Sequence, residues 1–444
     1  MEIYNKKLKP IFQEEKELIE EKLGIKIPDN CWITGGNVKN VYLTIYDKKP
    51  ILRFRCSNGG IFSIDKNDIK ENMVGLTFEE IINNEKDRLN EIYSFCVDRL
   101  YNYIKEHLNK KYVLSVSGGK DSYLTYSIYQ DMCVKYNITP DCDIVFANTS
   151  NEVYDTYRDI KKIPNIKILN PDISWRKWIE NKNYFFPSVW VRNCCSKFKE
   201  ERITQEYPKD KEIANILGVR STESSKRAKC EFYEDDAKSR QIRGKNGYPK
   251  KWIRLYPIVE ITTTDVWLLM LLKNLPINRR YKCGSNRVGC LICPYSSAYE
   301  DELIKRYYPK QYEWFEKAMA KNYEIYNVLT NLGWSLQEWK DGQWKEPRSK
   351  NSSFLKRKPT EENIAEFAKI KGLDCETAKK YFGRSCETCG KSVTENDIAM
   401  SLKMFGRNTN RILCKKCFLK ELDIDNDRYM DMMRGFKSQG CNLF

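Results

Sequence analysis

The stretch Val113–Tyr129, VLSVSGGKDSYLTYSIY, constrains this chain more than any other. An apolar run stops at a serine, two glycines, a lysine, an aspartate and a second serine, and an amphipathic segment follows. The pattern predicts a buried strand, a tight turn and a helix. Gly118 and Gly119 let the backbone bend sharply and approach a ligand closely. The amides of the turn and of the helix N-terminus then face an anion, and the helix dipole favours negative charge there. Ser115, Ser117 and Ser122 bring hydroxyls, Lys120 a positive charge and Asp121 a carboxylate. This is not a Walker A loop, because the spacing G-x-x-x-x-G-K-S/T is absent. The turn reads as a phosphate site; an ordinary glycine turn in an α/β sheet is the alternative.

From about residue 110 strands and helices alternate: KYVLSVS, DSYLTYSIYQDMCVKY, DCDIVFANTS, EVYDTYRDIKK, NIKILNP and EIANILGVRS. Continuous apolar strands between helices predict a doubly wound parallel sheet. TTTDVWLLMLLKNL opens with hydroxyls suited to capping and predicts a helix. Upstream, about the first 25 residues read as a charged amphipathic helix. Short alternating runs, cut by Gly-Gly, Asp-Lys-Lys and Asn-Gly-Gly, then predict a small antiparallel β module. The expected organisation is an N-terminal α+β module over 1–80 and a nucleotide-binding domain over 81–300. A helical extension over 301–360 and a helical hairpin with a zinc-ribbon or treble-clef module over 361–444 follow, the tail opening with SKNSSFLKRKPTEEN. Residues 361–384 read as helix, glycine turn, helix, which suits a packing hairpin or a helix–turn–helix for DNA.

Cysteine usage narrows the chemistry. The chain has 17 cysteines and one histidine, His107, which reads as the solvated end of a helix. No apolar run approaches the roughly 20 residues a spanning helix needs, and the N-terminus is charged. A cytoplasmic protein with no membrane partner is therefore expected, and in a reducing compartment cysteines serve as metal ligands or redox groups rather than disulfides. With one histidine, any metal rests on thiolates, which points to zinc or iron–sulfur. Cys386-x-x-Cys389 and Cys414-x-x-Cys417, with Gly390 after the first pair and a helix opened by the second, predict structural zinc. Cys194, Cys195, Cys283, Cys290 and Cys293 form a second candidate group, for iron–sulfur or zinc. The remaining unpaired cysteines read as small buried hydrophobes. Lysine plus arginine (77) exceeds aspartate plus glutamate (61), a net charge of +16. That balance favours polyanionic partners, nucleotides, DNA or RNA, although lysine-rich surfaces also occur without such a role.

The segment SGGKDS after a strand resembles the pyrophosphate (PP) loop of the adenine-nucleotide α-hydrolase superfamily. That superfamily includes ATP pyrophosphatases, tRNA thiolation enzymes and phosphoadenosine phosphosulfate reductases. FANTSNE resembles the second-strand segment of the reductase branch, with Asn148 in place of the usual acid, and implies that Asn148 and Thr149 face the nucleotide. GVRSTESSKRA resembles that branch's Gly-x-Arg-x-x-Glu-Ser-x-x-Arg element. It implies nucleotide contacts from Gly218, Arg220, Glu223, Ser224 and Arg227, with the two arginines as forks for phosphate or sulfate. On residue types alone, Arg220, Glu223 and Arg227 read as a surface salt-bridge cluster. YPIVEITTTDVW resembles Pro-Ile-x-x-Trp-x-x-x-Asp-Val-Trp, with Asp265 and Trp267 aligned and Ile261 where the first tryptophan is usual.

An adjacent cysteine pair with a distant C-x-x-C resembles the iron–sulfur pattern of assimilatory sulfonucleotide reductases. C-x6-C-x2-C after an upstream cysteine resembles the DNA phosphorothioation sulfurtransferase branch. The second likeness favours Cys194, Cys283, Cys290 and Cys293 as ligands, with Cys195 a spare thiol or alternative ligand. Lys199 falls where both branches carry a basic residue. Sulfonucleotide reductases end in a nucleophilic cysteine; here SQGCNLF places Cys441 without the family's flanking Glu and His. The resemblance implies an ATP-dependent, adenylating sulfur transfer to DNA or tRNA, with Lys120, Asp121 and Arg220 catalytic. It also implies Mg²⁺, a [4Fe–4S] cluster, zinc in the tail and a cysteine desulfurase or thioredoxin-like donor. The alternatives are reduction of phosphoadenosine phosphosulfate to sulfite, and a non-enzymatic nucleotide-sensing or nucleic-acid-binding role.

Overall fold

The structure, a computed structural model, describes residues 6–34, 40–207, 212–225, 227–235, 252–328, 332–347 and 358–444. The Gly35–Gly36 turn, and the tail linker as far as Arg357, lie outside the described residues. The chain forms two compact units, one of Met1–Asn322 with Lys340–Glu346, the other of Tyr323–Trp339 with Pro347–Phe444. No helix among the described residues is long and apolar enough to cross a membrane.

The first unit opens with a five-stranded antiparallel sheet in sequential order: β1 (Lys9–Pro10), β2 (Cys31–Thr34), β3 (Asn40–Ile45), β4 (Pro50–Ser57) and β5 (Ile61–Asn67). The N-terminal helix begins only at Gln13, because Lys9 and Pro10 pair with β2 as an edge strand. Such a small sheet has one apolar face and must bury it against another element. Ile33, Leu43, Leu52 and Phe54 do so against Leu18 and Ile19 of the helix Gln13–Leu23 and against Tyr299 and Leu303. Trp32 and Leu8 enter the main core instead. The N-terminal module expected over 1–80 lies in the same compact unit as the main sheet. The expected 301–360 extension is divided: the helix Pro309–Asn322 lies in the first unit, while Tyr323–Trp339 groups with the second.

The main sheet contains β6 (Lys111–Ser115), β7 (Cys142–Ala147), β8 (Lys167–Leu169), β9 (Ile213–Leu217), β10 (Tyr233–Asp235) and β11 (Trp252–Leu255). Its order is β10-β11-β9-β6-β7-β8, all parallel except β10. The chain runs outward from β6 through β7 to β8, then returns to β9 on the other side of β6. Strand order thus reverses between β6 and β9, the switch point at whose carboxyl edge doubly wound sheets bind ligands. The expected doubly wound α/β sheet is present, with Tyr112, Val113, Leu114, Ala214 and Ile216 buried as two-sided coverage requires. Helix Phe78–Lys105 starts at a Thr77–Glu80 capping box. Helix Thr263–Leu272 is capped by Thr262 and apolar all round, which places it inside the core.

In the second unit the expected helix–glycine–helix is Glu361–Lys371, Gly372 with φ 62°, and Cys375–Lys379. Its helices pack on a core of Phe367, Tyr381, Phe382 and Leu402.

Gly218, just past β9, lies against the backbone of Asp121. A Cβ added there would stand 2.7 Å from both the carbonyl carbon and oxygen of Asp121. Gly218→Ala is expected to cost about 1–3 kcal/mol through overpacking, measured as a melting temperature lowered by several degrees. An unchanged melting temperature would contradict this close approach.

Candidate functional site

β6 ends at Ser115 and the helix Lys120–Tyr136 begins five residues later, with Gly119 as its N-cap. Gly118 takes φ 76°, and a Cβ on it would stand 3.1 Å from Thr156 Cγ2. The turn is braced from within. Ser122 Oγ accepts from the Ser117 amide at 3.1 Å and donates to the Gly119 carbonyl at 2.9 Å. Ser115 Oγ donates to Asn215 Oδ1 of β9 at 3.0 Å. Gly118, Gly119 and Lys120 are buried, and Ser117 is the exposed residue of the turn.

Asp121 anchors two cations. Lys120 Nζ donates to Asp121 Oδ2 at 2.6 Å and Arg220 Nε to Asp121 Oδ1 at 2.6 Å. Arg220 Nη1 also donates to Thr222 Oγ1 and Thr263 Oγ1, each at 3.0 Å. Burial pushes the Asp121 carboxyl upward, but Lys120 and Arg220 outweigh it and hold the group below its ordinary value. The Gly218–Arg220 turn after β9 is thereby fastened to the turn after β6, across the switch point. Glu223 pairs with the exposed Arg227 and lies 4.0 Å from Arg220, and Ser224 Oγ accepts from the Arg227 amide at 3.4 Å. Asp265 accepts from Arg88 at 2.8 Å, and the buried Trp267 packs edge-on against Tyr281.

The loop after β7 faces the cysteines. Asn148 bonds Asn170 at 2.8 Å and accepts from Tyr157 Oη at 3.1 Å. The buried Thr149 hydroxyl donates to Glu152 and lies 3.8 Å from Cys290 Sγ. Cys194 and Cys195 sit on the short helix Asn193–Cys195. Hydrogen bonding to Cys194 holds the Cys195 thiol down to about 6 against burial, aided by Lys199 and Arg192. Cys194 is pushed up by Cys195, by burial and by Cys290 and Cys293. Arg287 Nη2 donates to Cys293 Sγ at 3.4 Å. Cys290, then Glu152, Cys195 and Cys293, hold the Lys199 ammonium above its ordinary value against desolvation. Lys199 thus feels Cys290, Cys195 and Cys293, Arg287 feels Cys293 and Cys290, and Cys194 feels Cys195, Cys290 and Cys293.

Cys283 is placed elsewhere. It caps the short helix Arg279–Lys282, is buried, and has Arg279, Glu14, Asp155 and Glu15 as its charged surroundings. Gly284 turns the chain at φ 114°, against Glu15, and the following loop carries Cys290 and Cys293 away. The ligand set expected from sequence joined Cys283 to Cys194, Cys290 and Cys293; Cys194 feels Cys195, Cys290 and Cys293, while Cys283 has Arg279, Glu14, Asp155 and Glu15 as its charged surroundings. Sequence reasoning also passed over Glu152, Arg280 and Tyr281. Glu152 is buried and accepts from Tyr157 Oη at 2.8 Å. Arg280 donates to the carbonyls of Gly289 at 2.6 Å and Cys290 at 3.3 Å. These residues carry no spacing signal; only their burial marks them.

In the second unit the sulfurs of Cys386, Cys389, Cys414 and Cys417 all lie within 4.8 Å of one another, with Cys389 and Cys414 3.7 Å apart. Tetrahedral zinc with bonds of about 2.3 Å separates its sulfurs by about 3.8 Å, so the four fit one ion. The first knuckle closes through Gly390 N to Cys386 O at 2.8 Å, and Cys414 is the N-cap of helix Lys415–Leu422. Burial opposes ionisation of Cys386, but amides of Cys414, Cys389 and Thr388 aimed at its sulfur hold it down to about 6. Cys441 packs partly buried on the core around Phe367.

A doubly wound sheet thus carries a braced glycine turn at its switch point, with Cys290 beside the next loop, the arrangement of an α/β nucleotide-type fold. Residues 111–296 match the phosphoadenosine phosphosulfate reductase domain. An uncharacterized protein of Methanocaldococcus jannaschii, MJ0066, is 30% identical over 246 residues, covering 53% of this chain and 47% of the relative. The adenosine 5'-phosphosulfate reductase of Geobacillus kaustophilus is 28% identical over 165 residues, 35% of this chain and 63% of the relative. The chain thus spans about half to three-fifths of these curated relatives' length. A phosphoadenylyl-sulfate reductase structure from Candida auris overlays with a TM-score of 0.32 at 17% identity, covering 49% of this chain and 96% of that one.

Asp121 has a folded-state pKa below its unfolded value of about 3.9. Its contribution to stability is present above that unfolded value and is lost as pH falls through the folded one. Asp121→Asn should be less stable at pH 7, where Lys120 and Arg220 lose their shared anion, and should lose less stability than wild type on acidification below about pH 4. Parallel acid-unfolding slopes, followed by circular dichroism, would refute the assignment.

Proposed function

We propose that this protein is a cytoplasmic PP-loop enzyme that activates an acceptor by adenylation and transfers sulfur to it, the acceptor being DNA or tRNA. The observation that supports this reading is Cys290 Sγ 3.8 Å from Thr149 Oγ1 in the loop after β7, the strand that pairs with β6 and its glycine turn. ATP would lie on the amides of Ser117–Ser122 at the helix N-terminus, with Mg²⁺ arriving on its phosphates. Attack by an acceptor oxygen on the α-phosphorus breaks the α–β phosphoanhydride bond, expels pyrophosphate and leaves an adenylated acceptor. A sulfur nucleophile then displaces AMP. The chain's part is positioning and charge neutralisation: Lys120 and Arg220 offer two cations against one carboxylate, and the loop amides orient the phosphates.

Cys194, Cys195, Cys290 and Cys293 suit an iron–sulfur cluster, which when bound would carry sulfur or electrons at this edge. The donor would be a cysteine desulfurase or thioredoxin-like protein. Lys199 and Arg287 stabilise the thiolates. Cys386, Cys389, Cys414 and Cys417 suit structural zinc. The basic balance of the chain favours the polyanionic acceptor.

A second reading, reduction of phosphoadenosine phosphosulfate to sulfite, is favoured by one feature: the thiol group uses the adjacent pair Cys194–Cys195, the arrangement the sequence shares with sulfonucleotide reductases. Against it, Cys441 lacks the flanking residues of the reductase nucleophile and packs on an apolar core. Sulfite formation that stops in Cys441→Ser would select this reading.

Lys120→Ala is expected to abolish conversion of ATP to AMP, followed by nucleotide chromatography; undiminished turnover would reject the assignment. In anaerobically purified protein, Cys195→Ser should lose iron and Cys283→Ser should retain it. The reverse result would restore the set expected from sequence. Cys414→Ser should lose zinc and leave iron unchanged, read by elemental analysis.

A further inference from the structure

Tyr281 touches both halves of the proposed site. It lies in the helix Arg279–Lys282, is 2% exposed, and packs against Trp267 with centroids 4.9 Å apart at 88°. Its hydroxyl oxygen accepts from the Lys120 amide at 3.1 Å, and the Val288 amide also faces it. Lys120 is the first residue of the helix after the glycine turn, and Val288 lies two residues before Cys290. A Cβ on Gly119 would stand 3.3 Å from this hydroxyl and 3.9 Å from Val288 Cβ, so the phosphate loop, the phenol and the cysteine loop meet directly.

A phenol that accepts one N–H and faces another still has a proton to give. Among the described residues that proton has no acceptor. A phosphate oxygen reaching the helix N-terminus competes for the Lys120 N–H, which offers a single proton. The released hydroxyl keeps the Val288 amide and donates its own proton to the phosphate. That charge-assisted bond is about twice as strong as the neutral one it replaces. Val288 N–H, the phenol and the phosphate then form one polarised hydrogen-bond chain.

We propose that Tyr281 is a positioning residue that couples nucleotide occupancy of the phosphate loop to the order of the loop carrying Cys290 and Cys293. The proposal rests on the nucleotide-binding reading above. Its distinguishing consequence is that an adenine nucleotide, with no contact to the cysteines, tightens residues 284–293.

The test is hydrogen–deuterium exchange of peptides covering 284–293 in anaerobically purified full-length protein, with and without α,β-methylene-ATP, whose binding is measured in parallel by calorimetry. The analogue should slow exchange at Val288 about fivefold in wild type, the factor that one net hydrogen bond supplies. Tyr281→Phe keeps the ring against Trp267 and removes only the hydroxyl. It should bind the analogue, exchange faster at Val288 without it, and show no slowing with it. Binding to wild type with unchanged exchange at 284–293 overturns the coupling and leaves the nucleotide site standing. Absence of binding to wild type overturns the site reading itself. A Tyr281→Phe protein whose loop responds like wild type overturns the role of the hydroxyl.

Discussion

The Lys120–Asp121–Arg220 ion triad is the interaction on which the site depends. A buried carboxylate is costly unless it is paired and hydrogen-bonded, and Asp121 is paired twice, once from each side of the switch point. The pairing works only because Gly218 lets the strand after the crossover lie on the Asp121 backbone, and because Thr222 and Thr263 hold the far side of the Arg220 fork. Two cations sharing one anion leave a single positive charge at the base of the turn. That charge is fixed before any ligand arrives, which is the arrangement that stabilises developing phosphate charge without reorganisation.

The two cysteine groups show different ways of building a thiolate site. The C-terminal four come from two local knuckles, each closed by its own backbone, so spacing alone reveals them. The first group is assembled by the fold. Cys194 and Cys195 follow the β8 crossover, whereas Cys290 and Cys293 come from a loop far downstream. Cys290 comes within 3.8 Å of Thr149 in the loop after β7, and Lys199 feels Cys290, Glu152, Cys195 and Cys293 together.

That difference also explains what was legible in the sequence. The strand–turn–helix at Ser115–Ser122, the alternation of the main sheet and the zinc-type knuckles are local patterns, read directly from spacing and period. The surroundings of Cys283 were not, because C-x6-C-x2-C looks like a single ligand run, whereas Cys283 is buried beside Arg279, Glu14, Asp155 and Glu15 and Gly284 after it takes φ 114°, which no spacing rule exposes. Arg220 reads as an anion fork or a surface ion pair; it is buried and committed to Asp121, which depends on long-range packing. What the N-terminal module packs on was illegible for a related reason, since its sheet has too little apolar area to close a core alone and borrows Tyr299 and Leu303.

The same borrowing gives the N-terminal module a physical part in the site. Lys9 and Glu15 pair in full burial, and Tyr299 donates to Glu15 at 3.0 Å. The adjacent Glu300, 1% exposed, accepts from Ser285 Oγ at 2.8 Å and from the Asn286 amide at 2.7 Å, and lies 3.6 Å from Arg280. Arg280 in turn holds the carbonyls of Gly289 and Cys290. A continuous run of buried polar groups therefore leads from the edge strand of the first sheet to the backbone of a thiol-bearing residue. Burial raises the Glu15 carboxyl despite Lys9 and Tyr299, so the network is costly to leave half-satisfied. Such a network tolerates one arrangement of its members, and the cysteine loop inherits that single arrangement from a sheet that contributes nothing to the phosphate turn.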